Sequence, residues 1–252
     1  MKLFEPYSIG TVDLKNRLVM APMSTNFPKD GFVTDAMIAY YEERAKGGTG
    51  LIVVEDGIID VPQGNHVKNI LAVDEDRYIP GLKKLTKAVH KHGAKISIQL
   101  SHGGRRGGRV SKATGCMEVT RRMLPVAPSP LAHPVPGQVV PKELTIEEID
   151  EITDKFAHAA KRIVEAGFDI ISIHCAHMYL CGEFLSPWAN KRQDLYGKNL
   201  NGRLRFVLEI IQKIRDEVGE SVPIVCRMNG REPAGGNTIC LLYTSPSPRD
   251  LS

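Results

Sequence analysis

Five short runs rich in β-branched residues recur along the chain, each separated from the next by a longer stretch: RLVMA (17–21), LIVVE (51–55), KISIQL (95–100), DIISIH (169–174) and PIVCRM (223–228). Runs this short suit strands better than helices. Amphipathic patterns lie between them. Thr34 or Asp35 opens one that reaches about Lys46, and another runs from Pro80 to His92. Thr145 followed by Glu148 forms a capping box. Ile149, Ile152, Phe156, Ala160 and Ile163 then share one helical stripe until Gly167 stops it. A last stripe carries Leu204, Val207, Leu208, Ile211, Ile214 and Val218 ahead of Gly219. Strand, helix and strand at this spacing predict βαβ units around a parallel sheet.

A closed (β/α)8 barrel and an open doubly wound sheet both satisfy that pattern. No GxGxxG follows the first strand, which weakens the open dinucleotide-binding alternative. The polar residues favour the barrel. In KISIQL, Ser97 and Gln99 share one face and Ile96, Ile98 and Leu100 the other; in DIISIH, Ser172 and His174 oppose Ile171 and Ile173; in PIVCRM, Arg227 opposes Cys226 and Met228. A barrel with helices on its outer face and chemistry at its C-terminal mouth shows this arrangement on several strands at once. The long stretch 101–144, rich in Gly, Arg and Pro, follows the third strand. It reads equally as a lid over the mouth or as a surface insertion.

Composition narrows the function classes. With 33 basic and 29 acidic side chains the net charge is +4, and the one basic concentration is Arg105, Arg106 and Arg109 with Arg121 and Arg122 beyond. That is no sustained nucleic-acid footprint, although it could meet a phosphate-bearing ligand. Cys116, Cys175, Cys181, Cys226 and Cys240 form no CxxC pair and are odd in number, which argues against a disulfide framework and for a reducing cytoplasm. No run approaches the ~18 apolar residues of a membrane span, and the N-terminus lacks the apolar segment of a signal peptide. The expectation is a cytoplasmic protein that binds neither nucleic acid nor membrane.

The segment HCAHMY holds His174, His177 and Tyr179 at the end of the fourth run. Two imidazoles at i and i+3 can converge on one carbonyl oxygen or small anion as N–H donors, with a phenol nearby to deliver a proton. The alternatives are structural histidines, or a metal site completed by Glu183. Gln99 and Arg227 stand at corresponding depths of other strands. An amide and a fixed cation suit the polar edge of a flavin ring, and equally a hydrogen-bond network inside a barrel.

Four ordered motifs then carry a resemblance: LFEPYSIGTVDLKNRLVMAPMSTN (3–26), QLSHGGR (99–105), HCAHMYLCGEFLSPWANKRQDLYGK (174–198) and RMNGREPAGGNT (227–238). Together they resemble the old yellow enzyme family, on its branch of 2,4-dienoyl-CoA reductases, 2-enoate reductases and bile-acid-modifying flavoproteins. The resemblance implies FMN, with Pro22, Met23 and Ser24 along the ring and Asp56, Gln99 and Arg227 also binding the cofactor, and no metal. It implies NAD(P)H as reductant and an enone, enoate or enoyl-CoA as substrate. His174 and His177 would hold the substrate oxygen, and Tyr179 would donate a proton to the α-carbon. Longer members add a 4Fe-4S cluster and FAD. Whether a homo-oligomer forms is left open.

Two departures from the family pattern stand out. GKNLNGR (197–203) replaces a GGSxENR-like phrase, and Gly202 early in a helix costs about 1 kcal/mol relative to Ala. From Cys240 the chain reads CLLYTSPSPRD (240–250), whose Ser-Pro pairs break any helix and which resembles one frame of a sequencing adapter. The expectation is an FMN-binding barrel unit over 1–239, truncated after about the fifth strand, and a non-native tail over 240–252. A barrel needs eight strands to close. This chain by itself is therefore expected to bind FMN poorly and to expose strand edges.

Overall fold

The computed structural model describes residues 2–107, 124–134, 139–232 and 235–238. Arg109, Arg121, Arg122, Cys116, the parts 108–123 and 135–138 of the expected lid and the segment from Cys240 onward lie outside these residues. Five strands form the path of one parallel sheet, β1 (Val19–Met20), β2 (Leu51–Ile58), β3 (Lys95–Ser101), β4 (Ile170–Cys175) and β5 (Ile224–Met228), and a two-residue strand, Leu71–Ala72, pairs with the end of β2. The five lie side by side in chain order. A doubly wound sheet reverses its strand order at a switch point, and the described strands show no reversal. The sheet is half of a barrel wall.

Four helices cover its outside: α1 (Asp35–Lys46), α2 (Ile79–His90), α3 (Ile146–Glu165) and α4 (Leu200–Val218). Their starts are local chemistry. The Thr34 hydroxyl accepts from the Met37 amide, and Thr145 and Glu148 satisfy each other's amides in a complete capping box. Asn199 caps α4 by accepting from the Gly202 amide at 3.0 Å. Gly202 therefore sits in the first turn, where a Cβ would lie 2.0 Å from the Gly197 carbonyl oxygen. The expected weakness at this helix start is instead a close approach that only glycine permits.

Two separate apolar clusters distinguish the outside of the wall from the inside. Ile52, Val54, Ile96, Ile98, Leu100, Ile171, Ile173 and Cys175 pack with α1–α4 in the larger one. Leu51, Val53 and Ile170, supported by Val225, form the smaller one with Leu14, Ile9 and Val12. The last three belong to an antiparallel hairpin, Tyr7–Ile9 paired with Val12–Leu14, which plugs the N-terminal end of the half-barrel. This hairpin escapes the sequence reading because its strands are only three residues long.

β2 runs three residues beyond the LIVVE run. Its register against β3 shifts between Val54, opposite Ile98, and Asp56, opposite Gln99, so Glu55 is the inserted residue of a β-bulge. The inner wall thus passes from apolar at the bottom, through Ser97 and Ser172, to Asp56, Gln99, His174 and Arg227 at the top.

Candidate active site

Parallel pairing lines up the inward-facing side chains of neighbouring strands. Gln99 on β3 is flanked by Asp56 on β2 and Ser172 on β4, and Arg227 on β5 lies beside His174 on β4. With His177 and Tyr179, these residues surround a cavity of about 160 Å³ at the C-terminal ends of the strands. Pro22, Met23 and Ser24, just past β1, close one side. All nine residues singled out from the sequence line this cavity, and Glu55 joins them.

The bulge explains Glu55. It turns two consecutive carboxyl side chains toward the mouth, and both are buried. One Glu55 oxygen accepts from the Thr25 amide and the other has no protein partner. Burial pushes the Glu55 carboxyl up. It also raises Asp56 to about 7, with the Glu55 charge adding to the rise and the cations Arg227 and Arg106 opposing it.

After β4 the chain turns sharply. His177 and Met178 both adopt the left-handed region, at φ 56° and 61°, a conformation costly for non-glycine residues and common where geometry serves a site. The turn is held by the His177 amide donating to Asn229 Oδ1, the Tyr179 amide to the Ala176 carbonyl and the Leu180 amide to the His102 carbonyl. It brings His177 Nδ1 within 3.4 Å of His174 Nε2 and sets the rings at right angles. His174 Nδ1 accepts from the Ala176 amide at 3.3 Å, so the neutral ring carries its hydrogen on Nε2, toward His177 and the cavity. Burial, the neighbouring imidazole and Arg227 hold the His174 pKa down to about 3. Burial and the two arginines lower His177 as well. Both rings are neutral near pH 7 and act as hydrogen-bond donors rather than as acids.

Tyr179 packs its ring 4.6 Å from that of His174 and places its hydroxyl 2.9 Å from His66 Nε2. His66 is buried in the segment between β2 and α2, and no sequence motif pointed to it. Arg106 lies with its guanidinium 5.0 Å over the Tyr179 ring and donates to the His177 carbonyl.

Other motif residues build the frame. Glu183, the candidate third metal ligand, directs its carboxylate to the Arg105 backbone amide and guanidinium at 3.1 and 2.9 Å, fully buried. Gly104 (φ +57°) lets that carboxylate approach, since a Cβ there would sit 2.8 Å from it. Among the described residues, no group of three His, Cys, Asp or Glu side chains is arranged to hold a metal ion. Arg192 pairs with Asp194 and donates to the carbonyls of Pro128 and Leu144, anchoring part of the Gly- and Pro-rich stretch that the sequence reads as lid or insertion.

The inner face of β3 bears on the implied cofactor. Ser97 Oγ, Gln99 Nε2 and Ser101 Oγ are buried in one line with no protein partner. An isolated buried polar group costs about 1–3 kcal/mol, so such a line fits a polar ligand edge. Gln99 supplies an amide donor and Arg227 a cation that makes no ion pair among the described residues. Together they match a flavin ring's carbonyl and nitrogen edge.

Fold and cavity define a protein of the (β/α)8-barrel class with a polar pocket at the C-terminal ends of its strands. The chain belongs to the NADH:flavin oxidoreductase / NADH oxidase family, which it matches over residues 2–239. It is 45% identical over 239 residues to the NADH oxidase of Thermoanaerobacter brockii, an alignment covering 94% of this chain and 35% of that protein. Among solved structures it is similar to a 2-naphthoyl-CoA reductase in complex with 2-naphthoyl-CoA, with a TM-score of 0.86 and 33% identity over 95% of this chain and 37% of that one. It is also similar to Old Yellow Enzyme from Pichia sp. AKU4542, with a TM-score of 0.76 and 31% identity over 90% of this chain and 59% of that one. The chain thus spans about a third of the length of the first of these relatives. Among the described residues no helix is long and apolar enough to cross a membrane.

Proposed function

We propose that this chain carries the FMN-ring and substrate half of a reductase that saturates the C=C bond of α,β-unsaturated carbonyl compounds with electrons from NAD(P)H. One observation carries the reading. Two neutral imidazoles and a phenol converge on the same cavity as a buried amide with no protein partner and a guanidinium that makes no ion pair among the described residues. Pro22, Met23 and Ser24 would lie along the ring, with Gln99, Asp56 and Arg227 on its polar edge. When bound, FMN supplies the hydride.

The remaining work falls to side chains of this chain. His174 presents Nε2–H, and His177 a second ring N–H, to the carbonyl oxygen of the substrate. Their hydrogen bonds strengthen as negative charge builds on that oxygen, which polarises the double bond toward its β-carbon. Because burial keeps both rings neutral, they stabilise the developing enolate without surrendering a proton to it. Tyr179, its ring against His174, gives its proton to the α-carbon. Asp56, raised by burial to about 7, lowers the negative charge at the mouth when a ring edge and a carbonyl enter. The similar reductase bound to 2-naphthoyl-CoA supports acyl thioesters conjugated to an unsaturated system as the substrate class, with free enoates and enones sharing the same carbonyl.

Absorption titration of the chain with riboflavin and with FMN tests the reading. A shifted flavin band is expected with both ligands, with affinity falling about tenfold in Gln99→Leu and in Arg227→Met, the loss of about one charge-assisted hydrogen bond. A flavin spectrum unmoved by the chain, or an affinity unchanged in both variants, would remove the basis for the assignment.

A further inference from the structure

His66 reaches the Tyr179 hydroxyl from outside the HCAHMY segment, and nothing in the family motifs points to it. It follows the short helix Val61–Gly64, which is fastened to the turn after β3 by the Gly103 amide donating to the Gly64 carbonyl at 2.7 Å. The ring is buried and stacks at 4.6 Å on Tyr179. Its Nε2 lies 2.9 Å from the Tyr179 oxygen and 3.5 Å from Asp56 Oδ2, while its Nδ1 has no partner within hydrogen-bonding distance.

Burial, with Arg106 next in importance, holds the His66 pKa down to about 3, so the ring is neutral near pH 7 and bears one hydrogen. Two tautomers compete. A hydrogen on Nδ1 would be a buried donor with no well-placed acceptor, the Gly64 carbonyl being its nearest approach, and it would turn the Nε2 lone pair toward the Asp56 oxygen. A hydrogen on Nε2 faces two acceptors and leaves only an acceptor unsatisfied at Nδ1. The second arrangement is the better one. It makes Tyr179 the acceptor at that contact and directs the phenol's own hydrogen away from His66.

We propose that His66 is the positioning residue for Tyr179: its Nε2–H donates to the phenol oxygen, fixes the hydroxyl at the cavity wall and stabilises the phenoxide that remains when the proton leaves. Asp56 on β2 favours that tautomer once its carboxyl is ionised, above about pH 7. Other charged or titratable groups facing this pair are His102 and Arg106 from β3 and the turn after it, and His174 on β4 with Arg227 beside it on β5. Arg106, over the Tyr179 ring, favours the phenoxide in the same sense. This inference rests on the reading of Tyr179 as the proton donor.

The tautomer is measured directly by nitrogen-15 histidine NMR on the cofactor-free chain. His66 is expected to carry its hydrogen on Nε2, and Tyr179→Phe to shift that resonance. With 3-fluorotyrosine incorporated, fluorine-19 NMR follows the phenol at position 179. His66→Phe should weaken its acidity about tenfold, and His66→Gln, which restores an N–H near the Nε2 position, should recover most of that change. A hydrogen on Nδ1, or a phenol that titrates identically in His66→Phe, would overturn the proposal. If His66→Phe does not fold by circular dichroism, the tautomer and the His66→Gln titration decide alone. With flavin bound, reduction by NAD(P)H should be unchanged in His66→Gln and His66→Phe, and reoxidation by cyclohexenone should slow about tenfold in His66→Phe only. A chain that transfers hydride to no enone defeats the reductase reading, while the NMR results still judge the His66–Tyr179 contact.

Discussion

Asp169 and Asp56 stand at opposite ends of the same sheet, and the fold treats them in opposite ways. Asp169, just before β4 at the bottom, receives His90 Nε2 at 2.7 Å, the Ile96 amide at 2.9 Å and Lys95 Nζ at 3.1 Å. Burial pushes its carboxyl up, but these partners outweigh burial and hold it below the usual carboxylate range. Asp56, at the top, has only a 3.5 Å approach from His66, and burial leaves it at about 7. The same side chain is a finished structural joint at one end and an unfinished one at the other. Barrels divide stability and chemistry between their two faces in this way. Most orphaned atoms of the inner wall follow suit: Glu55, Gln99 and Ser101 lie in its upper half, with Ser97 below them.

Four substitutions can break or sharpen that contrast. The largest effect is expected for His174→Ala in the FMN-loaded protein. Enone turnover should fall about 10²–10³-fold, the cost of losing one oxyanion donor, while the urea unfolding midpoint barely moves. Asp169→Ala should do the reverse, lowering unfolding free energy by about 3 kcal/mol because it strands partly buried partners. Its stabilising effect is present above the unfolded carboxyl pKa and fades as pH falls through the depressed folded value, so the loss should shrink in acid.

Asp56→Asn should raise stability near pH 5.5 by about 2 kcal/mol and leave it almost unchanged near pH 3. The folded chain keeps the Asp56 proton to about pH 7, whereas the unfolded chain releases it near about 4. Stability therefore declines across that window, and the amide removes the decline. Denaturant curves at the two pH values measure it. The smallest effect is expected for Gln99→Leu, a gain of up to about 1 kcal/mol from removing an unpartnered buried amide. A destabilisation there would mean that the upper wall is as finished as the lower.

Much of this architecture was legible because it is local. The period-two alternation of KISIQL and DIISIH assigned inner and outer faces, and the two apolar clusters reproduce that division. The capping box at Thr145 is complete as read. Glu55 was not legible, because a bulge is defined by the register of a neighbouring strand more than forty residues away. His66 lies between a short helix and a turn, with no periodicity or motif to mark it. Glu183 shares a segment with the two histidines, yet its helix turns it to Arg105. Gly202 looked like a defect until Gly197 was seen against it.

By itself the sequence determined the main strands and helices, that the barrel strands run parallel, and which of their side chains share the inner face, since these follow from spacing along one chain. Only the tertiary structure decided which polar atoms at the mouth keep no partner, which carboxyl holds its proton to pH 7 and which ring grips Tyr179. Those properties depend on burial and on contacts between distant residues, and no local pattern encodes either.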